Sequence, residues 1–521
     1  MFYLMLAGIA FIGLAIALFQ MRTHPKGLYV LFFVEMWERF SYYGMRALLV
    51  LYLTKHFLFD RTDAYGLYGA YITLVYITPV IGGFIADKYL GARKAVLFGG
   101  ILLVLGHLGM AFEGEQVAVG QVADPDVLNV FYFSLALIIA GVGFLKANIS
   151  TIVGMLYEKT DIRRDSAFTL FYVGINLGST FGVLLAGGLG ETYGWKYGFG
   201  AAGVGMLLGL VMFVIFKPVL QGKGEPKDLA YLKEKIFLGL DREWLTYIAT
   251  GFAVLLFWQL VRSQGTVNLL LVGFGALVVG YILYTSVLKL EAQERNRIFV
   301  ALFLISVNVL FWGLFEQTGS SLTLYTEDSV DRVIFGQEIK TSIFQSINAI
   351  YIVLLGAPLA GMWAWLGRRG LEPSTPMKFA LAVFQLGLGF LVLVWGAGNG
   401  QNLTPVIFIF LIYLLHTTGE LCMSPVGLSA MTRLAPTKMV GLMMGTWFLA
   451  SAAGNSVSAI IAQATAVVGP NGESMVLDVY SKVGWYAIGI SVLMALAAPI
   501  IKKGMHLDTL ENDVEEGTPA E

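Results

Sequence analysis

Of 521 residues, 57% are hydrophobic and 13% charged, and the mean hydropathy is +0.74. A soluble chain of this length could not keep so much apolar surface from water, so its solvent is a lipid bilayer. The net charge of −1 sets up no field toward nucleic acid, and the lone Cys422 excludes an internal disulfide or a cysteine-rich metal site.

Apolar runs of about 20 residues cross a hydrocarbon core of roughly 30 Å. The first is Met1–Gln20, with no charged side chain and with Arg22 and Lys26 behind it. A secretory signal carries its basic residues ahead of the apolar run, not after it, and the run has no clear cleavage site. The run is therefore predicted to be an uncleaved span. With no charged group to offer a solute or a proton, it reads as a peripheral anchor that packs on the bundle through Gly8, Gly13 and its alanines. Core spans follow near 27–53, 64–86, 95–113, 128–156, 166–189 and 197–216. Two more lie near 243–262 and 266–289, and a second set of six near 298–324, 341–366, 376–397, 404–431, 440–468 and 479–501. The chain thus divides into an extra N-terminal helix (1–21), a six-helix bundle (25–217), a linker with an inserted helical pair (218–290) and a second six-helix bundle (291–502). An acidic tail (503–521), too polar to pack, closes it.

Alternate loops differ in charge. One set carries Lys88, Arg93 and Lys94; Lys159, Arg163 and Arg164; Lys217 to Lys235; Lys289 to Arg297; Arg368, Arg369 and Lys378; and Arg433 and Lys438. The other set is poor in bases, with Glu113, Glu115, Asp124 and Asp126 in one loop and Glu327, Asp328, Asp331 and Glu338 in another. By the positive-inside rule the basic loops and the C-terminus are cytoplasmic, which puts Met1 in the periplasm of a bacterial inner membrane.

Ionisable groups inside spans are costly and mark function. The first core helix reads Glu35-Met-Trp-Glu38-Arg39-Phe-Ser-Tyr-Tyr43-Gly-Met-Arg46. At about 100° per residue, positions 35, 38, 39, 42, 43 and 46 share roughly 140° of its circumference. A self-neutralising ladder is one reading, but apolar residues would serve structure more cheaply. The other is a hydrated wall that binds anions and carries protons. Lys146, Glu316 and Glu420 lie in other spans, as do the amides Asn176 and Asn348. Each amide alone is ordinary helix glue. The intramembrane bases fall in the first half and Glu316 and Glu420 in the second, a division that suits a zwitterion held between halves. Gly174, Gly178 and Gly182 form a small-residue stripe for close helix crossing.

Two six-helix halves joined by a basic linker resemble the major facilitator architecture, whose halves rock about a midplane site. The loop Gly82-Gly-Phe-Ile-Ala-Asp87-Lys-Tyr-Leu-Gly91-Ala-Arg93-Lys94 is similar to that superfamily's loop after its second helix, where Asp87 and Arg93 would bridge neighbouring helix ends. More specifically, Glu35-x-x-Glu38-Arg39-Phe-x-Tyr-Tyr43-Gly, Phe171-Tyr-Val-Gly-Ile-Asn176 and Gly419-Glu420-x-x-x-Ser424-Pro425-x-Gly427 resemble, in order, three motifs of the proton-dependent oligopeptide transporter (POT) family. The resemblance runs from Pro25 to about Ile501, inserted pair included.

That resemblance implies an all-α symporter that imports di- and tripeptides with protons, works as a monomer and uses no cofactor or metal. Arg39, Arg46 and Lys146, helped by Tyr43 and Tyr76, would hold the peptide carboxylate, and Asn176, Asn348 and Glu420 its amino group. Trp447, Phe448 and Ser451 align with a side-chain pocket. Glu35, Glu38, Arg39 and Glu316 would couple protons, and Arg46–Glu316 and Lys146–Glu420 would bridge the halves. The chain departs from the family at Gly69, where animal members carry a histidine, at Asn348, which no proline follows, and at Phe315, where some relatives have a second acid. A related carrier of amino acids or small anions is the main alternative. A transport-dead sensor would need a signalling extension, and a membrane enzyme finds no metal spacing among His24, His56, His107, His416 and His506.

Overall fold

The computed structural model describes residues 1–158, 161, 163–398, 402–436, 438–469 and 474–507, so Lys159 and the acidic tail from Asp508 onward lie outside the described residues. Helix α1 (Phe2–Gln20) precedes the first bundle. That bundle comprises α2 (Lys26–Lys55), α3 (Arg61–Ile85), α4 (Ala92–Met110), α5 (Pro125–Met155), α6 (Arg163–Gly182), α7 (Gly188–Tyr193) and α8 (Trp195–Ile215). The linker holds short α9 (Leu229–Lys233) and the inserted pair α10 (Arg242–Leu260) and α11 (Gln264–Lys289). The second bundle comprises α12 (Ala292–Phe315), α13 (Ser321–Ser329), α14 (Ser346–Arg368), α15 (Thr375–Ala397), α16 (Ile407–Leu434), α17 (Val440–Ala466) and α18 (Val476–Gly504).

Among the described residues, 12 helical stretches are long and apolar enough to cross a membrane. Three of the fifteen expected spans, α2, α10 and α17, are helical to within two residues of the expected bounds but fall outside that set. The reason in α2 and α17 is their inward polarity: α2 buries Glu35, Glu38, Arg39 and Arg46, and α17 buries Ser451, Asn455, Ser456 and Ser458. A helix that faces a polar interior need not be apolar all round.

Each bundle has its own apolar core. In the first, α2 packs on α6 and α8, and α4 on α5; in the second, α15 packs on α16 and α18, and α12 on α17. The halves meet along two seams, α3 on α17 and α6 on α14. The expected glycine stripe lies where α6 crosses α2. A Cβ at Gly178 would sit 2.2 Å from the Met36 carbonyl oxygen, and one at Gly182 would sit 2.2 Å from that of Phe40, so nothing larger fits without parting the helices.

The inserted pair is not a free hairpin. Helix α10 lies on α5, and α11 covers the α3–α17 seam, where Ser456 Oγ donates to Asn268 Oδ1 at 2.5 Å. The loop after α3 also differs from expectation. Residues Ala86–Leu90 form a π-helical turn that stops at Gly91 (φ 73°), and Arg93 pairs with Glu225 of the linker at 2.6 Å rather than with Asp87. Lys94 and Lys233 converge on Glu243 at 2.6 and 2.8 Å. The basic linker is thereby fastened to the first bundle. Outside the spans, Arg163 hydrogen-bonds Asp161 and holds its carboxyl at about 2, well below the usual range. The same guanidinium donates to the Thr23 carbonyl at 2.8 Å.

Candidate functional site

The polar face of α2 is buried between the halves. Arg39 Nε lies 2.8 Å from both Glu35 Oε1 and Glu38 Oε2, so one guanidinium serves two carboxylates. Glu35 Oε2 and both Glu38 oxygens are buried and accept no hydrogen bond from the described residues. Two turns along, Arg46 Nη2 contacts Glu316 Oε2, and Arg46 Nε donates to the Tyr68 hydroxyl at 2.8 Å. Glu316 can reach across because α12 gives way there to a 3₁₀ turn, Glu316–Gly319, before α13 resumes. This contact joins the two bundles.

Lys146 sits 4.1 Å over the Tyr76 ring, a cation–π contact. It has no ion-pair partner within 4 Å among the described residues, so the expected Lys146–Glu420 bridge is not formed in this structure. Glu420 Oε2 instead accepts from Asn348 Nδ2 at 3.0 Å, and that amide also reaches Thr417 Oγ1 at 3.0 Å. A neutral amide thus holds the acid on the second half while the cation on the first half stays available. Asn176 donates back to the Tyr172 carbonyl at 3.0 Å within its own helix, and both residues line the inner side of the site.

Two cavities share Tyr43, Tyr76 and Ile175. The inner one, about 130 Å³, is lined by Arg46, Asn176, Glu316, Asn348 and Glu420 among others. The outer one, about 480 Å³, is lined by Glu35, Arg39, Lys146, Phe171 and Phe448 among others, and it falls in the size range of small-molecule sites. Of the three residues expected in a side-chain pocket, Phe448 lines this cavity. Trp447 and Ser451 line neither. Trp447 packs on Phe379 and over Gly427, and Ser451 Oγ accepts from Asn308 of α12 at 3.2 Å. Among the described residues, no group of three or more His, Cys, Asp or Glu could hold a metal ion.

One end of the molecule is fastened across the halves. Besides Arg46–Glu316, Lys55 contacts Glu327, and Arg61 pairs with Asp328 at 2.5 Å. The Ser342 N–H donates to Glu191 Oε1 at 2.7 Å, and Gln463 donates to the Thr62 carbonyl at 3.1 Å. All belong to the end with acidic loops. At the basic end, Gly356 and Gly361 of α14 and Gly441 and Gly445 of α17 face open space, and no ion pair joins the halves there among the described residues.

Sequence reading missed several of these partners. Tyr172 lies one turn before Asn176 on the same face and was within reach of a periodicity argument. Tyr68 and the Lys55–Glu327 pair were not, because nothing local couples residues 272 positions apart.

A family model described as the POT family matches residues 93–477. Similar proteins include the uncharacterized transporter YclF of Bacillus subtilis, 36% identical over 92% of this chain and 95% of its own length. The chain belongs to the POT family. The peptide transporter YePEPT of Yersinia enterocolitica is 36% identical over 84% of this chain and 87% of its own. Dipeptide and tripeptide permease B of Shigella dysenteriae is 31% identical over 93% and 97%. A crystal structure of peptide transporter POT in complex with sulfate superposes with a TM-score of 0.79 at 34% identity, covering 92% of this chain and 96% of that one. A POT family transporter in complex with 5-aminolevulinic acid gives 0.78 at 30% identity, covering 92% and 97%. As a POT member the chain is a multi-pass membrane transporter with the major facilitator type of fold, not an enzyme.

Proposed function

We propose that this transporter is a proton-coupled symporter that imports di- and tripeptides across a bacterial inner membrane by alternating access, as a monomer. The carrying observation is the division of charge across the cavities, with Arg39, Arg46 and Lys146 on one half and Glu316 and Glu420 on the other. A zwitterion of dipeptide length satisfies both walls. Arg39, Arg46 and Lys146 take its carboxylate, with Tyr43 and Tyr76 beside them. Asn176, Asn348 and Glu420 take its ammonium, and Phe448 borders its side chains. The relatives named as peptide transporters and permeases support the same reading.

Coupling follows from the ion pair between halves. With Glu316 ionised, its attraction to Arg46 favours closure at the acidic end. A proton on Glu316 removes that attraction and frees Arg46. A substrate carboxylate competes for the same arginine, so proton and peptide bias one two-state equilibrium. At Glu35, Glu38 and Arg39, two acids face one base, and a single proton balances the trio. The basic end is cytoplasmic on this reading, so the structure is closed toward the periplasm.

Uptake of dialanine into proteoliposomes under an imposed inward proton gradient tests the proposal. We expect accumulation that collapses with the gradient and is lost in Glu316→Gln. Because a relative binds 5-aminolevulinic acid, which also carries a carboxylate and an amine, that compound belongs in the assay as a competitor. Uptake of it but not of dialanine would reassign the substrate.

A further inference from the structure

Helix α1 lies outside the seam between α6 and α14 and touches both. The opposite faces of those two helices line the inner cavity through Tyr172, Asn176 and Asn348. Gly13 marks the crossing: a Cβ there would sit 3.4 Å from Leu177 of α6 and 3.5 Å from Val353 of α14.

The two ends of α1 are shared out between the halves. Toward the acidic end, Phe2 and Leu6 are buried in the core of the second half, and the Phe2 ring meets Phe410 edge-on at 6.0 Å. There the Lys340 N–H donates to the Tyr3 hydroxyl at 3.2 Å. Toward the basic end, Ala17 and Met21 are buried in the core of the first half; nearer the crossing, Ala10 is buried in it too and Phe11 lies 5.1 Å from Phe181 of α6. Arg163 holds the Thr23 carbonyl, His24 Nδ1 is 2.8 Å from the Tyr157 hydroxyl, and the chain runs through Pro25 into α2. This end is part of the first half by covalent connection as well as by packing.

Opening the acidic end must carry the 3₁₀ turn Thr341–Gln345 and α14 away from α6. Helix α1 stays with α6 and cannot follow. We propose that α1 is a strap across the seam that holds the halves closed at the acidic end, through anchors at Phe2, Tyr3 and Leu6 that exist only in that conformation. Apolar side chains gain little by exchanging lipid for protein, so Phe2 and Leu6 act mainly through fit. The Tyr3–Lys340 bond adds the net worth of one directed hydrogen bond, which is lost when the anchor parts. The strap sets the resting bias of the transport cycle, and the inference rests on the alternating-access reading above.

Two cysteine pairs in a Cys422→Ser background test it, each linked by a short, reducible bifunctional thiol reagent. Linking Phe2→Cys to Phe410→Cys ties α1 to the second half, and linking Phe11→Cys to Phe181→Cys ties it to the first. The first link should cut proton-driven dialanine uptake at least tenfold, with recovery on reduction, while the second leaves at least half. Uptake within twofold of the reduced protein when Phe2 and Phe410 are linked would overturn the strap. A wild type that takes up no dialanine would instead overturn the transport reading, and a second measurement then decides on α1. Spin labels at Val119 and Phe335, exposed on the acidic-end loops of the two halves, report their separation. Tyr3→Phe should raise the population of the long distance about fivefold, the worth of one hydrogen bond. An unchanged distance distribution would overturn the strap on its own.

Discussion

Arg39 faces two carboxylates, and that ratio makes Glu38 the residue whose loss separates binding from coupling. Glu38→Gln keeps the shape of the site and removes a proton acceptor. We predict that proton-driven accumulation falls at least tenfold while counterflow, which moves no net proton, persists. Wild-type accumulation in this variant would take α2 out of the coupling scheme. Lys146 makes a second prediction. It stands over Tyr76 without an acidic partner within 4 Å among the described residues, so it is poised for a substrate anion. Lys146→Ala should weaken peptides with a free C-terminus by about 10- to 100-fold, the worth of a charge-assisted hydrogen bond of about 1.5–3 kcal/mol, and hardly affect C-terminally amidated ones. Equal losses would make Lys146 structural. At this scale the sequence was most legible along α2, because helical periodicity alone puts Glu35, Glu38, Arg39, Tyr43 and Arg46 on one face. It was least legible wherever conformation chooses the partner. The family resemblance implied Lys146 with Glu420, but in the closed acidic end Asn348 holds Glu420 and the lysine rests on an aromatic face.

Among elements, the spans were readable because each backbone crossing a bilayer must satisfy its own hydrogen bonds, which leaves long apolar helices as the only solution. Their interruptions were not. The π-helical turns at Ala86–Leu90 and Val183–Gly187 and the 3₁₀ turn at Glu316 answer to tertiary contacts that leave no local period. The placement of α1 was also hidden. Its residues are apolar all round, so no face announces that two halves will share it, and an anchor at the periphery was the simplest expectation. Where the sequence did carry packing information, in the glycine stripe of α6, it can be tested. Gly178→Val places a Cβ 2.2 Å from the Met36 carbonyl oxygen. It should destabilise the detergent-solubilised protein by about 1–3 kcal/mol, the usual range for overpacking. Gly273→Ala in α11, where a Cβ meets nothing within 4 Å, should leave the Tm unchanged or raise it slightly. The same Tm for both variants and wild type would show that α6 does not need its close approach to α2.

For the whole molecule, the charge of the loops and the contacts between halves agree on a polarity. The acidic end is tied by Arg46–Glu316, Lys55–Glu327 and Arg61–Asp328, and the outer cavity of about 480 Å³ lies beyond these ties, toward the basic residues of α2 and α5. The exposed Arg61–Asp328 pair adds little by itself, whereas the buried Arg46–Glu316 pair leaves an uncompensated charge when either member is lost. Sidedness is open to direct measurement. In intact spheroplasts, an impermeant maleimide should label Glu115→Cys and spare Lys223→Cys, and a tag ahead of Met1 should be reached by antibody without permeabilisation. Labelling of Lys223→Cys alone would invert the topology. The central claim is that peptide and proton cross together, and proton movement itself reports it. Proteoliposomes loaded with a pH-sensitive dye and clamped at zero potential should acidify inside when dialanine is added outside. The response should be absent with N-acetylated, C-amidated dialanine and lost in Glu38→Gln. Dialanine entry with no change in internal pH would contradict the account.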